Sequence, residues 1–343
     1  MKKNFISIFL TILFIFTIFC PKKSNAKPSE PINVAVFEYL SSDGFITEVH
    51  KSLESIENSN TDKVKFTFYD GANSQNTQNE QVTTYLNNVD SDLILLNMVD
   101  PNTIGNIMPL IKNHNIPVIV YNREPISLNE IISYRRALYI GTEAKESGIL
   151  QGKIFVDDWN MSKKTIDRND DDIVQYIMFI GNPLNLEAIE RTAYSTATIQ
   201  SAGINVDTVA NVYCSWDRSC ARESMKAKLL QYGDKIEAVI ANNDEMAIGA
   251  IEALQSFGYN KENSKKIMPV IGVDAIPEAR ELISKGLMTG TVVQNPEKLA
   301  TALYSVGLNM VNGNPPLQDT EYTFDSSGVA IRIPYEGVIT NYN

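Results

Sequence analysis

Short apolar runs alternate along the chain with segments whose apolar positions recur at three-and-four spacing. The runs INVAVFEY (32–39), KVKFTFYDG (63–71), DLILLNM (92–98), PVIVYN (117–122) and ALYIGT (137–142) read as strands. Between them, GFITEVHKSLESI, NTQNEQVTTYLNNV and DPNTIGNIMPLIKNH carry the helical period. After Gly141 the alternation starts again, with strands at IVQYIMFIG (173–181), INVDTVANVY (204–213), IEAVIANND (236–244), PVIGVDA (269–275) and GTVVQN (290–295). Strands separated by helices in this way predict a parallel sheet covered on both faces, and the repetition predicts two such α/β domains. No Gly-rich or Pro-rich linker separates them, so the chain is expected to cross as ordinary backbone at a hinge near residues 141–143. The tail after residue 296 predicts one more helix and a short strand that can cross back.

A chain of 343 residues with 43% hydrophobic and 21% charged residues suits two soluble globular domains. Its net charge of −11 argues against nucleic acid or an anionic membrane as partner. It favours an uncharged or cationic ligand. The N-terminus places Lys2 and Lys3 before an apolar run from Phe5 to Phe19, followed by Ser24-Asn25-Ala26. This is the layout of a secretory signal over residues 1–26, cleaved after Ala26. The apolar run is shorter than the ~20 residues that span a bilayer, which disfavours a membrane anchor. A lipoprotein signal ending at Cys20 would anchor the protein at the cell surface, but the bulky Phe19 before it fits that poorly. Loss of residues 1–26 removes four lysines and takes the charge from −11 to −15. The remaining cysteines, Cys214 and Cys220, either form a bridge in an oxidising compartment or stay as two thiols, and their spacing leaves both readings open.

Ligands of open α/β sheets bind outside the carboxyl ends of the strands, so the residues ending each apolar run are informative. They are Asn122, Asn243 and Asp244, Asp274, and Gln294, with Asp43 and Phe45 after the first strand. Amides and carboxylates bond to neighbouring hydroxyls, and an aromatic ring covers the apolar face of a sugar. The set predicts a polyhydroxylated ligand held between two domains. The plain alternative is that these residues merely cap the following helices. Arg191 of EAIERT is placed to reach the same crevice as a charged donor, and Trp216 of CSWDRSC is either core or a stacking platform.

No GxSxG, HExxH, CxxC or Walker loop is present. Of the two histidines, His50 lies on the first helix and His114 near a helix end, where it is expected to meet the last carbonyls. A binder is therefore expected, not an enzyme. DRNDDDIVQ (167–175) sets oxygens at the spacing of a calcium loop: Asp167, Asn169, Asp171, the carbonyl of Ile173, and Gln175. Met178 falls where the bidentate Glu of an EF-hand belongs and cannot ligate, and Asp172 replaces the usual glycine.

The strings INVAVFEY, LILLNMVDPNTIGNI, IPVIVYNREP, YIGTEAKESGILQGK, IEAVIANNDEMAIGAIEAL, IGVDAIPEA, GLMTGTVVQN and IRIPYEGV carry a resemblance to the periplasmic glucose/galactose-binding proteins of ABC sugar uptake and chemotaxis. It runs over residues 32–340. The resemblance implies the type I periplasmic binding protein fold: two Rossmann-like domains with parallel sheets, joined by a three-strand hinge, with the sugar in the cleft. The expected division is residues 30–141 with 294–329 for the first domain, and 142–293 with 330–343 for the second. Asp43 is similar to the family's sugar-bonding aspartate and Phe45 to one face of its aromatic sandwich, in a loop two residues longer here, with Trp216 as the other face. Asn122, Arg191, Asn243 and Asp274 match hydrogen-bonding positions.

Three positions depart from the family pattern: Asn185 stands at a histidine, Glu187 at an aspartate and Gln294 at an asparagine. All remain hydrogen-bond formers, so the change falls on which sugar is bound. The resemblance also implies that the calcium loop is completed by Glu237, with Asp170 and Asp172 as bystanders. The expected partners are a monosaccharide, galactose or glucose, an ABC permease and, as a second partner, a chemoreceptor; the protein is expected to be an exported, periplasmic monomer. A receptor for a pentose or other sugar-like ligand is the alternative. A sugar-responsive regulator core would need a DNA-binding segment where the signal peptide stands.

Overall fold

The computed structural model describes residues 30–342 apart from 90, 263 and 265. The signal sequence, Cys20 and Ala26 lie outside the described residues. The first domain opens with β1 (Ile32–Glu38), α1 (Gly44–Ser59), β2 (Val64–Asp70), α2 (Gln75–Asn88) and β3 (Leu93–Leu96). It continues through α3 (Met108–Asn113), β4 (Val118–Tyr121), α4 (Asn129–Ile132) and β5 (Ala137–Gly141). The second runs through α5 (Ala144–Ile166), β6 (Ile173–Ile180), α6 (Leu186–Ser201), β7 (Asn205–Tyr213), α7 (Arg218–Tyr232) and β8 (Ala238–Ala241). Then follow α8 (Asp244–Ser256), β9 (Val270–Asp274), α9 (Pro277–Ser284) and β10 (Gly290–Val293). The tail forms α10 (Pro296–Val311), β11 (Ala330–Arg332) and β12 (Val338–Thr340).

Two six-stranded sheets result, ordered β11-β5-β4-β3-β1-β2 and β12-β10-β9-β8-β6-β7. All named pairs are parallel except β10 with β12. The central strands LILL, VIVY and AVIA are buried at every position, as strands covered on both faces must be. The outer strands β2 and β7 instead mix buried and exposed positions, because one neighbour and much of one face are missing. Each sheet has an apolar layer on both sides. In the first domain, α1 and α10 cover one layer, where Val49, Leu53, Leu299 and Leu303 are buried.

The chain crosses between domains three times: from β5 to α5, from β10 to α10, and from β11 to β12. The crossings are bonded to each other, Ile333 N–H to the Gly141 carbonyl at 2.7 Å and Val293 N–H to the Gly337 carbonyl at 2.9 Å. The last crossing departs from the expected division. Ala330–Arg332 pairs with β5 in the first sheet, so the chain leaves the first domain after Arg332 and not at 329. The reason is local: VAIRI is an unbroken extended run, and Pro334 is the first residue that ends it.

Arg332 fastens this point. Its guanidinium forks onto Glu124, with Nη2 2.7 Å from Oε1, and its Nε donates to Asp325 Oδ2 at 3.0 Å. Arg332→Ala leaves these two carboxylates without their cation. Stability is expected to fall by about 2 kcal/mol, short of the 3–5 kcal/mol for breaking a fully buried pair because Arg332 is part-exposed. A urea midpoint equal to that of the wild type would show the pairs to be inert.

Candidate functional site

The strand ends of both domains face one another across a cavity. Its walls are Asp43, Phe45 and Asn122 from the first domain and Glu187, Arg191, Trp216, Asn243, Asp274 and Gln294 from the second side, together with Tyr39 and Arg123. Nine of the ten expected positions thus meet at one place. Direct bonds close its rim. Glu124 N–H donates to Glu187 Oε1 at 2.7 Å, and Asn102 Nδ2 to the Leu184 carbonyl at 2.8 Å.

The helix-cap reading and the wall reading hold together for two of these residues. Asp43 caps α1, its Oδ1 accepting from Phe45 and Ile46 N–H, while its Oδ2 accepts from the Tyr39 hydroxyl at 2.5 Å. Asn243 caps α8 through Oδ1 and turns Nδ2 toward the Trp216 carbonyl. Capping fixes the side chain, and the strand end sets where it sits. Asn122 lines the cavity with no partner for its amide among the described residues.

Arg191 is buried, with Nη1 donating to the Asn242 carbonyl at 2.7 Å and Nη2 to Gln294 Oε1 and the Tyr335 hydroxyl, both at 3.1 Å. Its Nη1 lies 3.8 Å from Asp274 Oδ1, an ion pair longer than a hydrogen bond. Burial pushes the Asp274 carboxyl well above the ordinary range, against the pull of Arg191. Burial also raises Glu187, opposed by the Glu124 N–H and the charges of Arg191 and Arg123. Oε2 of Glu187 has no partner among the described residues. Three carboxylates, two guanidiniums and three amides therefore surround one space, and no Ser, Cys or His stands in its wall. Such a set orients hydroxyls by paired donors and acceptors.

Asn185 is the exception among the ten. It is buried behind the wall, and its Oδ1 accepts from Trp216 Nε1 at 3.3 Å. It steadies the indole from the N-cap of α6, two residues before the cavity-facing Glu187 and so pointing away from that side chain. The indole itself lies flat on Gly181, where a Cβ would fall 2.3 Å from a ring carbon. Trp216 is platform and packing residue at once.

Tyr39 and Arg123 were not among the expected residues. Arg123 stacks on the Tyr39 ring at 3.3 Å, lies 6.0 Å from the Trp216 ring, and donates Nη1 to the Val99 carbonyl. The strand-end rule points to both, since Tyr39 closes INVAVFEY and Arg123 follows PVIVYN. Asp244, at another strand end, turns inward and is absent from the wall. Its Oδ1 accepts from Thr291 Oγ1 at 2.7 Å and its Oδ2 from Ile276 N–H at 3.0 Å. His114 Nδ1 meets the Leu110 carbonyl at 2.9 Å and His50 pairs with Glu38, both away from the cavity.

A second polar cluster lies on the loop before β6. Asp171 Oδ2 accepts from Asn169 Nδ2 and Gln175 Nε2, both at 2.9 Å, and Asp167 accepts from the N–H groups of Asp171 and Asp172. Glu237 reaches in from the start of β8, its two oxygens accepting from Arg168 and Gln175 N–H. The residues expected to hold calcium are thus gathered, with Asp170 and Asp172 in left-handed conformation. Among the described residues no three His, Cys, Asp or Glu side chains approach closely enough to form a metal cluster. The donor set nevertheless suits a hard cation: all oxygen, and two amides whose NH2 groups now face a carboxylate and need only turn over to present oxygen.

The profile of the periplasmic binding protein domain matches residues 34–315. The chain belongs to this family. As a periplasmic binding protein it is 31% identical, over 98% of its length and 97% of the relative's, to the D-galactose/methyl-galactoside binding periplasmic protein MglB of Haemophilus influenzae. It is 27% identical to the ribose import binding protein RbsB of Escherichia coli over 60% of this chain and 61% of that one. Among solved structures, an ABC transporter solute binding protein of Bacillus halodurans with bound myo-inositol superposes with a TM-score of 0.73 at 25% identity, covering 92% of this chain and 96% of that one. The two-domain type I fold is the same.

The turn that presents Asp274 is held by Asp244, whose carboxyl burial raises to about 7 despite its bonds to Thr291 and the backbone. A folded-state value above the unfolded ~3.9 means the native protein holds a proton that the unfolded chain releases. This contribution is fully present below pH ~4 and is lost as pH rises through about 7. The wild type is therefore expected to lose stability relative to Asp244→Asn between those limits. Urea unfolding of both proteins at the two ends of the window checks this, and parallel profiles would contradict it.

Proposed function

We propose that the protein is an exported receptor for a monosaccharide, galactose or glucose, which closes around its ligand and delivers it to an ABC permease, with a chemoreceptor as a second partner. The observation that carries this reading is the composition of the interdomain cavity: carboxylates, amides and guanidiniums beside Phe45 and Trp216, with no Ser, Cys or His in the wall. The near full-length likeness to a galactose-binding relative supports it. A receptor without catalysis is the role of this family, and the acidic chain suits an uncharged ligand.

Another sugar-like ligand is the second reading, favoured by Glu187 and Gln294 in the wall and by the myo-inositol held by a structural relative. Calorimetry of the mature protein with galactose, glucose, a pentose panel and myo-inositol separates the two. Galactose or glucose is expected to bind at about micromolar Kd or tighter, and Asp274→Ala is expected to abolish the heat. No heat from any member of the panel would overturn the receptor reading.

We further propose that Asp167, Asn169, Asp171, Gln175 and Glu237, with the carbonyl of Ile173, hold a structural calcium ion. The ion would neutralise the carboxylates gathered on one loop and tie the β6 and β8 ends together. An ion bound only by the native state raises its melting temperature. Chelator is therefore expected to lower the melting temperature of the wild type and to leave that of Asp171→Ala unchanged. An identical wild-type melt with and without chelator speaks against the ion.

A further inference from the structure

We infer that the Cys214–Cys220 disulfide is a positioning device for ligand binding: it holds the Trp216 ring in the cleft, so that reducing it weakens the site without unfolding the domain. This rests on the ligand-binding reading of the cavity given above. The bridge joins residues six apart, with Cα atoms 5.4 Å from each other, and encloses Ser215, Trp216, Asp217, Arg218 and Ser219. Trp216 is thus the cavity-lining member of a covalently closed loop.

Several observations say that this loop needs an added constraint. It hangs from the end of β7, the outermost strand of its sheet, which has β6 as its single neighbour. Ser215 and Trp216 have φ of 47° and 74°, consecutive left-handed residues neither of which is glycine, asparagine or aspartate. Each such residue is strained and persists only where its surroundings over-determine it. Ser215, Asp217 and Ser219 are exposed, so they bring little packing.

The non-covalent anchors of Trp216 are long. Its Nε1 donates to Asn185 at 3.3 Å, and its carbonyl accepts from Asn243 Nδ2 at 3.4 Å. The shorter bonds, Asp217 N–H to the Cys214 carbonyl at 2.9 Å and Cys220 N–H to Asp217 Oδ1 at 2.6 Å, lie inside the loop and move with it. Arg218 ties the second half of the loop to α8 and α9 through Glu245 and Glu278, both at 2.6 Å, whereas among the described residues the Ser215–Trp216 half has only its two long bonds and the loop ends to hold it. Cys214 is buried in the second domain's core beside Phe179 and Met246, and Cys220 stands in the first turn of α7. The disulfide joins these two ends and makes the turn between them a single closed ring. A platform that is correctly placed for only part of the time lowers the apparent affinity by that fraction.

The test uses the mature protein with its bridge intact, then reduced. Dithiothreitol passes two electrons and two protons to the pair, breaking the Sγ–Sγ bond, giving two thiols and leaving the reagent as its cyclic disulfide. Galactose and glucose affinities are measured for both forms, for the Cys214→Ser/Cys220→Ser double variant, and for Trp216→Ala. Reduction and the double substitution are each expected to weaken binding about tenfold, with the melt still cooperative, whereas Trp216→Ala should bind weakly and equally in both redox states. Unchanged affinity on reduction overturns the inference, as does an equal loss in Trp216→Ala, which would mean the bridge acts on the domain at large.

If the oxidised protein binds neither sugar, the receptor reading for these ligands fails, and the positioning role is decided by fluorescence. Trp159 and Trp216 are the two tryptophans of the chain, so Trp159→Phe leaves Trp216 as sole emitter. Its anisotropy is expected to fall and its quenching by acrylamide to rise on reduction. A ring equally rigid and shielded in both states overturns the proposal.

Discussion

The buried guanidinium of Arg191 is the constraint around which this cleft is organised. A cation removed from water needs partners for its donors, and those that meet Nη1 and Nη2 come from separate parts of the chain, while Nε has none among the described residues. Asn242 offers its carbonyl at the end of β8, Gln294 its amide oxygen at the end of β10, and Tyr335 its hydroxyl from the third crossing. The Tyr335 hydroxyl is in turn 2.8 Å from Thr142 Oγ1 on the first crossing. The cavity wall and the hinge are therefore one bonded network. The Arg191–Asp274 pair, 3.8 Å apart, is the loose contact in that network.

Around that cation the backbone is held in conformations that most residues avoid. Asn122, Trp216 and Asp274 all have positive φ, at 62°, 74° and 120°. Asparagine tolerates this region best; an aspartate at 120° does not and must be held. The hold is visible one layer in, where Asp244 accepts from Ile276 N–H and from Thr291, whose hydroxyl oxygen accepts from Ala275 N–H. Gly272 leaves the space for that carboxylate, since a Cβ there would fall 2.1 Å from Asp244 Oδ1. Asp244 never touches the cavity, yet it fixes the turn that aims Asp274 into it.

How far the sequence displays this depends on the kind of signal. The sheets are legible because central strands buried on both faces write themselves as continuous apolar runs, LILL or AVIA, ended by the polar residue at the carboxyl end. That one rule brings Asn122, Asn243, Asp274 and Gln294 to the same wall. The same rule reaches Tyr39 and Arg123, which flank the residues singled out at their strand ends, because a strand that stops at a cleft presents more than one side chain to it. It cannot tell Asn185 from Glu187, since which of them faces the cavity is decided by the first turn of α6 and not by residue type. The short β11 escapes for a different reason: three residues carry no period, and their sheet is chosen by a neighbour, β5, nearly two hundred residues earlier.

The departures from the family pattern acquire a common physical meaning in this arrangement. Glu187 and Gln294 each present two polar atoms, and each uses one of them on the protein. Glu187 Oε1 takes the Glu124 N–H across the cleft, and Gln294 Oε1 takes an Arg191 N–H. Glu187 Oε2 and the Gln294 amide nitrogen remain for a ligand, an acceptor and a donor. The extra methylene in each side chain lets it span to a protein partner and still reach the cavity. Asn185, with no such length, reaches neither and supports Trp216 instead. On the proposed receptor reading, discrimination between sugars would rest on hydroxyls that satisfy one acceptor and one donor at fixed places. A site of this kind rejects an epimer by leaving a buried polar atom unpaired, which costs more than a mismatch in apolar shape.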